Sequence, residues 1–125
     1  MNIGSEKIIE FTVEKELTAK VVGSGELDVL ATPAMIAFME KASCELVKHS
    51  LEEGETTVGT LVNVAHVRAS LVGEKIIVES ELIEIDRKRL VFHVKASSEA
   101  GVIGEGTHER FIVNSEKFMN KLKNK

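Results

Sequence analysis

The chain has 125 residues, 43% of them apolar and 29% charged, with a formal net charge of −4 from 16 basic and 20 acidic side chains. That length fits one domain, residues 1–125, able to bury roughly 65% of the surface its unfolded form exposes, so the composition is that of a globular protein and not of a disordered one. The acidic balance argues against a nucleic-acid partner, and no apolar run approaches the roughly 18 residues of a membrane span.

The opening MNIGSEKIIEF lacks the basic region and apolar stretch of a secretory leader, and the one cysteine, Cys44, has no partner for an intramolecular disulfide, so a reducing, cytoplasmic setting is expected. Residues 8–18 alternate loosely between apolar and polar side chains and predict a strand, followed by a glycine-rich loop, VVGSGELD. Thr32 then suits an N-cap, its hydroxyl accepting from an unpaired backbone N–H, and Pro33 suits the first helical position, where its missing donor is no loss. The helix is expected to run to about Glu52 and stop at Gly54; about 20 residues at 1.5 Å each would make it some 30 Å long.

Beyond it, TTVGTLVNVAHVRAS, EKIIVESELIEID, RLVFHVKASS and VIGEGTHERFIVN are rich in β-branched residues and separated by the short breaks LVGE, DRKR and SEAG. Short breaks predict hairpins between successive strands, and therefore an antiparallel sheet. In RLVFHVKA the alternation puts Leu90, Phe92, Val94 and Ala96 on one face, which is expected to be the dry one. The closing SEKFMNKLKNK has Phe118 and Leu122 four apart among charges, as in a short surface helix. The sum is an α+β protein in which an antiparallel sheet wraps around one long central helix, the arrangement called the hot-dog fold.

Around the axis of that helix, at about 100° per residue and with Met35 as zero, Leu46, Met39, Ser43, Ile36 and Val47 occupy an arc from about 20° to 120°. Lys48, Lys41 and Glu45 gather at about 220° to 280°, whereas Glu40 falls near 140°, apart from the other charges. A carboxylate withdrawn from water needs compensation or a task; the plain alternative is a buried stem with the head reaching solvent. His66 stands in a strand otherwise apolar on both faces, and its side chain exchanges protons near neutrality. A hydroxyl at Thr32, an acid at Glu40 and an imidazole at His66 are the minimum set for acyl transfer, if the fold brings them together.

ATPAMIAFMEKA, VGTLVNVAHVRAS and IGEGTHERFIV, in that order and at these spacings, resemble the hot-dog thioesterases related to fluoroacetyl-CoA thioesterase, over nearly the whole chain. The resemblance implies a homodimer whose two sheets join edge to edge, with active sites near the interface. By position it implies catalytic roles for Thr32, Glu40 and His66, and places Gly59 and Arg110 beside the acyl group. Gly59 also reads as a bulge that permits close packing, and Arg110 as the partner of a nearby acid. In that enzyme the segment before the threonine supplies aromatic residues that cover the pocket, whereas GSGELDVLA has none, so an acyl group other than fluoroacetyl is expected.

The expected activity is hydrolysis of a small acyl-CoA thioester, with Glu40 as nucleophile or as the base that activates water, His66 moving protons, and Thr32 orienting Glu40 or the substrate. Backbone N–H groups at the helix start would face the developing oxyanion. The expected partner is the acyl-CoA itself, with coenzyme A entering as part of the substrate and no other cofactor or metal. Two other readings stay open: a hot-dog module that binds acyl-CoA without turnover, and a hot-dog hydratase or dehydratase that leaves the thioester intact. Cys44, at the edge of the apolar arc with no basic neighbour to activate it, reads as packing. His49, His93 and His108 fall on different elements without ligand spacing, and DRKR reads as a solvated turn with a lesser chance of meeting coenzyme A phosphates.

Overall fold

The computed structural model describes residues 1–124. Five strands form one antiparallel sheet: β1 (Glu6–Thr12), β2 (Glu55–His66), β3 (Lys75–Asp86), β4 (Arg89–Ser98) and β5 (Gly101–Asn114), in the spatial order β1-β3-β4-β5-β2. Three helices accompany them, α1 (Ala19–Val22), α2 (Thr32–Val47) and α3 (Ser115–Lys123). The sheet's inner face holds α2: Met35, Met39, Ala42 and Val47 of the helix share a solvent-free core with Ile76, Val78 and Leu82 of β3, Leu90, Phe92, Val94 and Ala96 of β4, and Ile103 of β5. This is the expected hot-dog arrangement, and the alternation of β4 sends its four even-numbered apolar residues inward as predicted.

Two hairpins follow from their turns. Arg87 takes a left-handed conformation, φ 58°, in the solvated DRKR turn between β3 and β4, and Gly101, φ 115°, opens β5 after β4. The expected hairpin between β2 and β3 does not form. Residues 67–74 carry the chain across the sheet, so that β3 lies between β1 and β4 while β2 pairs with β5. This link is tied down on its way, Val67 N–H donating to Ile103 O at 2.7 Å and Leu30 N–H to Ser70 O at 2.9 Å.

Three local expectations are also corrected. The first strand ends at Thr12, not 18, and residues 15–22 coil into a short 3-10 turn and α1, where the Thr18 hydroxyl accepts from Val21 N–H and Gly23, φ 92°, ends the turn. The long helix stops at Val47, giving 16 residues and a length of about 24 Å, because Lys48–Ser50 tighten into a 3-10 turn before Gly54, φ 85°, redirects the chain. Thr32 is not the N-cap. Ala31 holds that position with extended dihedrals, Thr32 and Pro33 open the helix, and the Thr32 hydroxyl is left free for another partner.

Candidate active site

Helix α2 runs antiparallel to β2 along the inner side of the sheet, and two clusters of polar side chains form where they meet. At the helix start, Thr32 Oγ1 lies 2.8 Å from Nδ1 of His66, the last residue of β2. Thr32 is exposed and His66 half-buried, so the bond faces solvent on the hydroxyl side. The other ring nitrogen, Nε2, is buried and has no hydrogen-bond partner. Burial lowers the His66 pKa, opposed more weakly by the Arg68 backbone, which makes no hydrogen bond of ordinary geometry with the ring. A neutral imidazole is the form that accepts a proton from a hydroxyl.

The pair lines a cleft of about 280 Å³ between the arm that includes Ala19, Ser24, Val29 and Leu30 and the strand link at Val67, Arg68 and Ala69. No aromatic side chain faces it. In the first turn of α2, Ala34 and Met35 both donate to Ala31 O and Pro33 has no N–H. The expected group of oxyanion donors therefore reduces to the Thr32 N–H, which has no acceptor among the described residues.

The second cluster lies two helical turns on. Glu40 leaves the apolar arc as its angle predicts and meets Arg110 of β5, Nη1 to Oε2 at 3.3 Å. Arg110 is 8% exposed and its guanidinium is used on every side: Nε donates to Thr57 Oγ1 at 2.8 Å, Nη2 to Thr57 O at 3.0 Å, and Nη1 to both Glu40 and His108. Gly59 of β2 completes the group. A Cβ there would stand 2.6 Å from Glu40 Oε2 and 3.3 Å from Arg110 Nη1, so only glycine lets the ion pair come so close to the strand. The strand is also bulged at this point, with Thr60 as the extra residue between Gly59 and Leu61. The bulge and the close packing at Gly59, and the acid partner of Arg110, are thus present together.

The structure brings Thr32 to His66, and Glu40 to Gly59 and Arg110, but no contact joins the two clusters within one chain. Eight residues of helix separate Thr32 from Glu40, about 12 Å. His108, set aside on sequence as a lone histidine, belongs to the second cluster; its position two residues before Arg110 in one strand, hence on the same face, is the signal that marks it. His93 instead faces the opposite side of the sheet from the helix, where it bonds Glu105 at 2.8 Å. Among the described residues no three ligand-type side chains gather as a metal site would require. Cys44 is half-buried, 3.9 Å from the Thr57 hydroxyl.

A model of the family described as fluoroacetyl-CoA-specific thioesterase (FlK) matches residues 13–116. The chain belongs to this family of thioester hydrolases. FlK-type relatives match it in sequence and in structure. The fluoroacetyl-CoA thioesterase of Streptantibioticus cattleyicolor is 37% identical over 98 residues, 78% of this chain and 70% of that protein. A solved structure of the fluoroacetyl-CoA thioesterase FlK superposes with a TM-score of 0.94 at 33% identity, over 100% of this chain and 97% of that one. A threonine-to-serine mutant of FlK in complex with acetyl-CoA matches with a TM-score of 0.94 at 30% identity, over 99% and 98% of the two chains.

Proposed function

We propose that this protein hydrolyses a small acyl-CoA thioester at a site built from both clusters, and that the site is completed by a second copy of the chain. The hydrogen bond between Thr32 and His66 carries the reading, because a hydroxyl held on a neutral, partly desolvated imidazole and open to solvent suits proton transfer and is superfluous in a passive binding pocket. The relative seen with acetyl-CoA supports the substrate class. The lining of the cleft, with no phenylalanine, tyrosine or tryptophan to cover it, favours an acyl group other than fluoroacetyl.

The exposed edge of the sheet supports completion by a dimer. Residues 59–63 of β2 are exposed, with Leu61 44% and Val62 40% accessible, and the run GTLVNVA carries no charge to repel another strand. The opposite edge, β1, carries Glu6, Lys7 and Glu10. Antiparallel pairing of two β2 strands, centred near Val62, sets the His66 end of one copy beside the Gly59 end of the other. Thr32 and His66 of one subunit then face Glu40 and Arg110 of its partner across one cleft.

In that cleft Glu40, aligned by Arg110, deprotonates the water that attacks the thioester carbonyl, or attacks the carbonyl itself to give a mixed anhydride that a water molecule then hydrolyses to the free acid and the carboxylate. The carbon–sulfur bond breaks, the thiolate of coenzyme A leaves and takes up a proton, and the Thr32–His66 pair transfers it. The Thr32 N–H, at a helix N-terminus, faces the developing oxyanion. No cofactor beyond the coenzyme A of the substrate enters the scheme, and a reducing, cytoplasmic setting suits the single free thiol of Cys44.

Thiol release from a panel of acyl-CoAs tests the proposal. Turnover is expected on short acyl groups, and Glu40→Gln should lower it by about 100-fold or more with little change in Tm, since Gln keeps an acceptor for Arg110 and removes only the charge. Binding without release in the wild type would make this a binding module, and full turnover in Glu40→Gln would remove the acid from the chemistry.

A further inference from the structure

His108 is 1% exposed and is the one fully buried titratable side chain that the scheme above leaves without a task. Its ring lies against Phe92, with centroids 6.1 Å apart, under the bulge of β2. Nδ1 is 2.8 Å from the Leu61 carbonyl, and Nε2 is 3.2 Å from Arg110 Nη1 and 3.9 Å from Glu40 Oε2. The two neighbours determine the tautomer. A carbonyl oxygen only accepts, so Nδ1 carries the hydrogen; a guanidinium only donates, so Nε2 is bare.

We propose that His108 is a positioning residue of this site: it anchors to the bulged edge strand through the Leu61 carbonyl and, through its bare Nε2, holds the Arg110 guanidinium against the Glu40 carboxylate. Three elements of the fold thereby lock one carboxylate. Helix α2 delivers Glu40, β5 supplies His108 and Arg110, and β2 contributes Thr57 and the Leu61 carbonyl, with a second tie across the bulge from the Thr60 hydroxyl to Glu109 O at 3.2 Å. The tautomer also requires that the ring stay neutral. Burial lowers its pKa most, and the Arg110 charge lowers it further, against smaller opposing pulls from the Leu61 carbonyl, Glu40 and Glu109. A proton on Nε2 would face Arg110 and displace the guanidinium from the acid.

The inference rests on the thioesterase reading, and its test separates the two. His108→Asn retains an amide donor near the Nδ1 position for Leu61 but loses the acceptor for Arg110; His108→Gln places an acceptor near the Nε2 position. We expect kcat on the best acyl-CoA to fall by up to about a hundredfold in His108→Asn with KM changed far less, and to recover most of that loss in His108→Gln. Equal kcat in the two variants, or losses that follow Tm alone, would reduce His108 to a packing residue. If Glu40→Gln is inactive while His108→Asn works like wild type, this inference fails and the thioesterase reading stands; if the wild type binds acyl-CoA without releasing thiol, the reading beneath it fails. Nitrogen NMR of the wild type serves even if the variants do not fold: a protonated Nδ1 and bare Nε2 at pH 7 support the assignment, and the other tautomer or a charged ring overturns it.

Discussion

At the scale of single residues, burial lowers the pKa of two imidazoles that face different partners. A neutral His66 is the form that the proposed reaction needs to accept a proton from the exposed Thr32 hydroxyl, and a neutral His108 is the form that the proposed positioning needs to accept a hydrogen bond from Arg110. Because burial lowers the His66 pKa from its ordinary 6.5, the base form is already dominant at neutral pH. Protonation as the pH falls through that lowered value removes it, so kcat should be level above about pH 6.5 and decline on the acid side. His66→Ala should lower turnover strongly and erase or shift that acid limb; an unchanged pH profile would take His66 out of the reaction. The same lowered values act on stability in the same direction. Between about pH 6.5 and the folded-state pKa the unfolded chain binds protons that the folded chain refuses, so stability is full above this window and declines as pH falls through it.

At the scale of elements, β2 decides whether the site is complete. It is the longer of the sheet's two unpaired edges, uncharged from Gly59 to Ala65, and it carries His66 at one end and Gly59 nearer the other. Val62→Lys puts a charge at the centre of the exposed run. Sedimentation or light scattering should then show a monomer that keeps its fold by circular dichroism and loses turnover together with the dimer. A monomer with full turnover would show that one chain holds a whole site. Strand periodicity made β3, β4 and β5 legible in the sequence, and the apolar arc of α2 predicted the buried faces of Met39, Ser43 and Val47. The partner of β2 was not legible, because a short break suggests a hairpin while the choice between β3 and β5 is made by long-range packing. Thr32 illustrates the same boundary: its side chain satisfies every local criterion for a cap, yet the hydroxyl goes to a residue 34 positions away. His108 carries no ligand-like spacing in the sequence, because its partners are a backbone carbonyl and a guanidinium.

At the scale of the whole molecule, the distance between the two clusters is the decisive quantity. Thr32 and Glu40 sit on one helix with their α-carbons about 12 Å apart along its axis, and no hydrogen bond or ion pair joins Glu40 to Thr32 or His66. The proposed sharing between subunits would resolve this, since a two-fold axis across β2 would exchange the ends of the strand and give a dimer two identical mixed sites. The consequence is a complementation experiment. Glu40→Gln and His66→Ala homodimers should each be nearly inactive, because every site in them lacks one group. After the two are unfolded together and refolded, about half of the dimers are mixed, and each mixed dimer has one site with both substitutions and one with neither, so about a quarter of the wild-type turnover should return. If instead Glu40 and His66 of the same chain worked together, every site in the mixed dimer would keep one substitution and no activity would return. The recovered fraction thus reads out directly which chain supplies the acid and which the imidazole.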